Sequence, residues 1–582
     1  MKKILLPFVF SLCLGSALAQ DSTEKILPVG FSDEELMQMQ ERNGSPFGLL
    51  QSGYTTPPVS PVRTAAEWEE IDYLCITWTS YQSMLREIVR NAQNECTVYI
   101  ICTDSNTVKS YLTSGGVPLV NLHFKQAPYN SVWIRDYGPN SAYTNDVDSL
   151  ILVDWKYNRP TRTRDDTIPS VIARDLGLPV YLTTVSPNDI IHTGGNWMSD
   201  GLGTAFSSNL VLNENPSKTN AQINAIHNSF MGINTYIKMT VLPYDGINHI
   251  DMHMKLLDEE TLLVGQYPTG VSDGPQIEAN IQYVLSNYTS VFGTPYRIIR
   301  IPMPPEQNGT WPNQGGDYLT YVNASFVNKT IIVPQYYQQY DTTALRIWRE
   351  SCPGYNVVGI NSNASIAASG SLHCITHEIA TSDPLLIVHQ KLQNTTNTTI
   401  PYQVDARIQH RSGIASATLY YRTDTLQPYS STSMTLTNVP NNTWTGFIPP
   451  QSAGTTVYYY ISATSVSGKT QLRPIVAPAG YWKFKVLGVT EAQELLGDNG
   501  IRPIYPNPSK GITCIPVNLN KSGHMRLALY DVLGNEVALI YEGQAQTGEK
   551  NYFINTTDIA SGTYVVVMQT EEEFITQKLI VR

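Results

Sequence analysis

From residue 64 to residue 391 the chain alternates short apolar runs with stretches whose apolar residues recur every three or four positions. The runs LCITW, TVYIIC, SLILVDW, TLLVGQY, RIIRIPMP, TIIVPQY, NVVGI and LLIVHQ read as strands, whereas SMLREIVRNAQNE and QIEANIQYVLSNY read as amphipathic helices. Strands and helices taking turns along one chain bury their apolar faces only by packing helices onto sheets, so this region is expected to be α/β. After His389 the pattern changes. Beyond QNTTNTTIPYQ, the runs ATLYYRT, TGFIPP and TVYYYISATS alternate apolar and polar residues and are separated by Ser, Thr, Pro and Asn, as in half-buried antiparallel strands. A chain of 582 residues exceeds the roughly 250–300 that one core serves, so several domains are expected.

The N-terminus, MKKILLPFVFSLCLGSALAQ, has two lysines, an apolar run and a small-residue cleavage pattern, which predicts a signal peptide over 1–19 and a mature start at Gln20. The expected plan continues with an N-terminal segment at 20–60, for which a propeptide is one reading. An α/β domain follows at 61–388, then an immunoglobulin-like β-sandwich at 389–488, a polar linker at 489–500 and a final module at 501–582. No later run has the roughly 18 consecutive apolar residues of a membrane span. A net charge of −11 without any Lys/Arg cluster speaks against nucleic acid and anionic membranes as partners, because phosphate binding draws on clustered basic residues. Of seven cysteines, Cys13 leaves with the signal, and six in the remaining length are too few for a disulfide scaffold. Cys75, Cys96 and Cys102 read as buried thiols in strands, with a Cys96–Cys102 bridge as the alternative.

Four polar stretches follow or end apolar runs, where α/β folds place functional groups: SVWIRDYGPN (131–140), HTGGNWMSDGLG (192–203), INHIDMHMK (247–255) and GSLHCITHEIA (370–380). If INHIDMHM is a strand, His249, Asp251 and His253 share a face and a metal is one reading, but no other His pair has metal-ligand spacing. Taken alone, Cys374 is a structural thiol, a metal ligand or a nucleophile. His373 and His377 flank it, yet on a strand the adjacent residue points to the other face, which makes His249 the better base. Asp136 and Asp251 add two anions. Two buried carboxylates without local partners repel each other and call for a cation, and a planar guanidinium presents a fork of donors that carboxylates match. Sulfur attack on the guanidinium carbon, protonation of departing ammonia by His249 and hydrolysis of the thiouronium then give a urea-type product.

These residues carry a resemblance. AEWE (66–69), W-x-RD-x-G (133–138), YNRP (157–160), TGGN-x-M-x-DG (193–201), INH-x-D (247–251), Y-x-N-x-S (321–325) and LHC-x-THE (372–378) are similar, in order, to the guanidino-group-modifying superfamily. The branch is the one joining agmatine deiminases to the secreted bacterial peptidylarginine deiminases of Porphyromonas type. The last 80 residues, with YPNPSKG, LYDVLGNEV and SGTYVVVMQ, resemble the C-terminal sorting domain of type IX secretion. The resemblance implies a five-bladed α/β propeller, or pentein, followed by two all-β sandwich modules, although no internal repeat is visible in the sequence. It implies Cys374 as nucleophile, His249 as general acid/base, Asp136 and Asp251 as guanidinium ligands and Asn323 in support. The substrate-binding set would be Trp133 against the aliphatic stem, Arg135, and Arg159 with Arg162 gripping a terminal carboxylate.

Arg164 is the alternative to Arg162, and a solvated loop balancing Asp165 and Asp166 is the plainer account of all three arginines. A tyrosine expected three residues before the catalytic histidine is Gly246 here, with Tyr244 nearby. The implied activity is conversion of peptidyl-arginine, with preference for C-terminal arginine, to citrulline and ammonia, with no cofactor, metal or calcium. The implied partners are arginine-containing peptides or proteins and the type IX machinery, and the implied location is secreted or on the outer-membrane surface after periplasmic export. An exported agmatine or free-arginine deiminase and, from another class, an inactive surface adhesin are the competing readings.

Overall fold

The computed structural model describes residues 32, 35–37, 53–488 and 499–582, with short gaps at 269, 272, 503, 505–506, 510–511, 546 and 571–572. The predicted signal peptide and the predicted linker, apart from residues 499–500, lie outside these residues, as does most of the 20–60 segment. The apolar runs form strands and the periodic stretches form helices. SMLREIVRNAQNE gives the helix Gln82–Ala92, which buries Met84, Leu85, Ile88, Val89 and Ala92 along one stripe. Each fully buried Leu or Ile contributes about 1.5–3 kcal/mol. QIEANIQYVLSNY lies in the helix Gly274–Asn287, opened by a proline at its first turn.

Between residues 62 and 380 the strands form five small sheets with one recurring pattern. In each, a central strand pairs antiparallel with one neighbour and parallel with another. The central strands are Leu150–Tyr157, Thr204–Ser208, Thr261–Gln266, Thr330–Gln335 and Ile71–Thr77. The antiparallel partners are Asn140–Thr144, Met198–Ser199, Met254–Asp258, Ser325–Val327 and His377–Ala380. The parallel partners are Val180–Thr183, Thr235–Met239, Arg297–Pro302, Asn356–Asn361 and Thr97–Cys102. Parallel pairing needs a crossover, and a helix supplies it in every case: Ile168–Leu176, Asn220–Met231, Gly274–Asn287, Gln338–Ser351 and Gln82–Ala92. The repeat that the sequence conceals is therefore present in the backbone.

Five loops lead into the five antiparallel strands, and they touch one another in a closed circle. Gly195 N–H donates to Asp136 across the first two. The turn Gly194–Asn196 packs on Ile250–Met252 across the second and third. Asn323 Nδ2 donates to the Asp251 carbonyl, His373 N–H donates to the Asn323 carbonyl, and Arg135 N–H donates to the Cys374 carbonyl, which closes the circle. The last strand, His377–Ala380, pairs with Ile71–Thr77 near the start of the domain.

Beyond residue 385 the regular structure of the described residues is all β, with one core running from Leu385 to Val486 and a second from Ile504 to Val581. The first β unit is tied to the α/β domain by Arg473 to Glu259 at 2.9 Å and Lys469 to Glu70 at 2.7 Å. Cys75, Cys96, Cys102, Cys352 and Cys374 are free thiols, so Cys96 and Cys102 are not bridged. Among the described residues no helix is long and apolar enough to cross a membrane.

Candidate active site

Cys374, Asp251, His249, Asp136 and Asn323 arrive on four of the five loops and are all buried. The Cys374 thiol lies 3.3 Å from the Asn323 amide nitrogen and 3.8 Å from Asp251 Oδ2. Asp251 turns Oδ2 toward His373 Nδ1 at 2.7 Å, while its Oδ1 has no hydrogen-bond partner among the described residues. Across the site, His249 Nδ1 stands 3.6 Å from Asp136 Oδ1, an ion-pair distance too long for a hydrogen bond, and among the described residues neither ring nitrogen is otherwise engaged. Asn323 is itself held by His373 N–H, which donates to its Oδ1 at 3.0 Å.

The backbone explains these positions. INHIDMHM is not a strand: Ile250–Met252 is a short 3-10 turn and the strand begins at Met254, so His249 and Asp251 are not set on a common strand face with His253. His253 is buried, and burial pushes its imidazole down to about 4. Among the described residues no cluster of three or more His, Cys, Asp or Glu is placed to hold a metal ion. Cys374 also sits in a turn ahead of the strand His377–Ala380. The alternation that would send His373 to the opposite face therefore does not apply, and its ring reaches Asp251 instead.

TGGN is spatially required. A Cβ on Gly194 would lie 1.9 Å from the Arg135 carbonyl oxygen, and one on Gly195 would lie 2.4 Å from His249 Nδ1 and 3.0 Å from Asp136 Oδ1. A Cβ on Gly370 would strike the Trp133 ring at 2.2 Å.

Electrostatics separate the two acids. Burial raises the carboxyl of Asp136 above its ordinary range and the charge of Asp251 adds to this, against the opposing pull of His249. Burial also acts on Asp251, but the hydrogen bond and charge of His373, with His249 and Lys255, carry it below the ordinary value. Neither carboxylate lacks a local partner, which corrects the expectation of two unrelieved anions. Burial, then the charges of Asp251 and Asp136, push the Cys374 thiol well above its usual range, and a bound cation would help to ionise it.

A family model for Porphyromonas-type peptidyl-arginine deiminases matches residues 63–379, more than half of the chain and all four of these loops. The chain belongs to this deiminase family. A second model, the secretion-system C-terminal sorting domain, matches residues 503–582, indicating export to the cell surface or medium by the type IX route and contact with its machinery. A Selenomonas ruminantium protein described as an agmatine deiminase is 24% identical over 341 residues, covering 52% of this chain and 90% of its own. A solved structure described as an agmatine deiminase covers 57% of this chain and 99% of its own at 20% identity, with a TM-score of 0.51. A structure described as an arginine deiminase from Porphyromonas gingivalis covers 55% of this chain and 99% of its own at 20% identity, with a TM-score of 0.49.

The other residues expected to bind substrate in this peptidyl-arginine deiminase family member divide. Trp133 is buried beside Gly370 and Tyr81. Arg135 is committed elsewhere: its guanidinium forks onto Glu378 at 3.2 and 2.7 Å and its Nε donates to the His373 carbonyl, so it holds the cysteine loop from beneath. Arg159 is 3% exposed and sits 3.6 Å from Glu35 of the N-terminal segment. Its charge reaches Asp136. Arg162 donates to the Tyr157 hydroxyl at 3.3 Å, whereas Arg164 is exposed. Asp165 and Asp166 are buried and accept from the backbone of Asn130, Ser131 and Tyr157, so a solvated charge-balanced loop does not describe Arg159. Tyr244, near the tyrosine expected at Gly246, is 52% exposed.

Sequence reasoning passed over a second row of charges. His373 Nε2 meets Glu67 Oε2 at 3.1 Å, and the same oxygen accepts from Lys255 Nζ at 2.7 Å. Glu67 belongs to AEWE and Lys255 ends INHIDMHMK, so both were marked by motif, but a contact spanning 306 residues has no trace in local spacing.

Proposed function

We propose that the chain is an exported deiminase of peptidyl-arginine acting on C-terminal arginine, with Cys374 as nucleophile, and that its five sheets are the blades of a propeller with the site at its centre. The observation that carries the chemistry is the thiol of Cys374, 3.3 Å from Asn323 and 3.8 Å from Asp251, with the Asp136–His249 pair opposite. The guanidinium lies between Asp136 and the open Oδ1 of Asp251, each carboxylate taking N–H donors. The sulfur bonds to the guanidinium carbon as its proton passes to His249. One amino nitrogen takes that proton and leaves as ammonia, and a thiouronium remains. Water then adds to the carbon while losing a proton to the same ring, the C–S bond breaks, the sulfur is reprotonated, and the ureido product departs as citrulline.

Arg159 supports a carboxylate-bearing substrate, because a buried guanidinium beside the site selects for an anion at fixed distance from the reacting carbon. Glycine rather than tyrosine at position 246 favours the second reading, agmatine or free arginine. Ammonia release from agmatine, free arginine, a peptide ending in arginine and a peptide with internal arginine decides between them. The terminal-arginine peptide is expected to give the highest kcat/KM, and equal or better turnover of agmatine would refute the carboxylate reading. Cys374→Ala is expected to abolish all turnover; an active variant would remove the enzymatic reading altogether.

A further inference from the structure

A buried row runs from Lys255 through Glu67 and His373 to Asp251, whose Oδ2 lies 3.8 Å from the Cys374 thiol. Its links measure 2.7, 3.1 and 2.7 Å, and each of these side chains is largely or wholly enclosed. Each nitrogen of the His373 ring faces a carboxylate oxygen, and the row alternates basic and acidic side chains along its length. Such a row fixes rotamers: Asp251 cannot turn Oδ2 toward the substrate without breaking its bond to His373, and this leaves Oδ1 as the oxygen presented to the site. The backbone of His373 acts on the same loop, donating to Asn323 and accepting from Arg135.

We propose that His373, braced by Glu67 and Lys255, is a positioning residue for the deiminase reaction, which holds Asp251 and, through Asn323, the thiol in the geometry for attack. This rests on the function proposed above. The test compares His373→Gln, whose amide falls near the outer ring nitrogen, with His373→Asn, whose amide falls near Nδ1 and can still donate to Asp251. His373→Gln is expected to lose about 10²-fold in kcat/KM through both kcat and KM, the size of a misplacement near 1 Å. His373→Asn is expected to recover at least tenfold of that loss. Equal activity of the two variants, or wild-type kcat/KM in His373→Gln, overturns the proposal. Glu67→Gln weakens the brace without touching His373 and is expected to cost about tenfold, the worth of one charge-assisted hydrogen bond; a folded Glu67→Gln with unchanged kcat/KM also overturns it. If Cys374→Ala is inert while these variants stay at wild-type activity, only this inference fails; an active Cys374→Ala sinks the reading beneath it.

A second observation stands apart from that row. Glu35, 4% exposed, places Oε2 3.6 Å from Arg159 and Oε1 3.4 Å from the Thr161 hydroxyl. Its capping of Ser32 N–H at 2.9 Å accounts for a local helix start but not for an ion pair with a residue far along the chain. We infer that Glu35 is an internal stand-in for the substrate's terminal carboxylate and competes with peptide for Arg159. This too rests on the proposed function. In the full chain, Glu35→Ala is expected to lower KM for a peptide ending in arginine about tenfold, the worth of a charged contact, and to leave KM for agmatine, which has no carboxylate, unchanged. Unchanged KM for the peptide, or an equal shift for both substrates, refutes the inference. Arg159→Ala tests the underlying clamp: no rise in peptide KM there refutes the carboxylate reading instead.

Discussion

Replacing Gly195 by alanine adds one carbon at the point where His249 and Asp136 come together. The new Cβ would lie 2.4 Å from His249 Nδ1 and 3.0 Å from Asp136 Oδ1, against an ordinary contact of about 3.5–4.0 Å. The imidazole, itself buried, therefore has to move by about 1 Å, and a displacement of that size at a reacting centre costs about 10²-fold, or roughly 2.7 kcal/mol of barrier. Overpacking of one carbon costs only about 1–3 kcal/mol in stability, so the variant is expected to fold with a modestly lower Tm. Gly246→Ala is the control, because its Cβ would meet nothing nearer than Ser369 Oγ at 3.7 Å. The assay is ammonia release from a peptide ending in arginine, beside thermal melting of both variants. A Gly195→Ala enzyme within threefold of wild-type kcat/KM would refute the assignment of His249 and Asp136 to the reacting geometry.

Arg135→Met leaves Glu378 without the fork that now holds it; breaking such a buried pair costs about 3–5 kcal/mol, visible as a lower denaturation midpoint. Alkylation of Cys374 by iodoacetamide, located by peptide mapping, is expected to keep accelerating above pH 9, because burial and two neighbouring anions hold the thiol high. Asp251→Asn removes one of those anions, lowers the thiol and speeds alkylation at a fixed pH; a slower reaction would contradict the assignment. Burial opposes ionisation of Glu67, but Lys255 and His373 hold its carboxyl well below the usual range. The stabilisation is thus complete above the unfolded value near 4.3 and is lost as pH falls below it, so chemical denaturation between about pH 5 and 3 should be steeper for wild type than for Glu67→Gln.

Local signals served well wherever the structure is local. TVYIIC is the strand Thr97–Cys102, and the periodic stretch after Tyr81 is a helix with its apolar stripe inward. The five-sheet repeat escaped notice because each sheet meets its pairing and burial requirements with different residues: Met198–Ser199 does in two residues what Asn140–Thr144 does in five. Cys374, His249, Asp136, Asp251 and Asn323 were legible through motif resemblance, and the geometry brings them together. His373 was set aside because a strand was assumed where the chain makes a turn. Arg135, adjacent to Asp136, looked like a substrate ligand, but the side chain that engages it, Glu378, lies 243 residues away, beyond the reach of any spacing rule.

The circle of five loops also has a meaning in time. Cys374 lies on the last loop, and the strand that anchors it, His377–Ala380, completes a sheet begun by Ile71–Thr77. A chain being synthesised or threaded through a translocon therefore carries four finished sheets, one open sheet and no assembled site until residues 377–380 return to the strand Ile71–Thr77. Two molecules that exchange their last arc would each carry the other's thiol. A mixture of Cys374→Ala and Asp136→Asn chains, each inert alone, would regain turnover only through such an exchange, and this makes complementation a direct gauge of how firmly the circle stays shut.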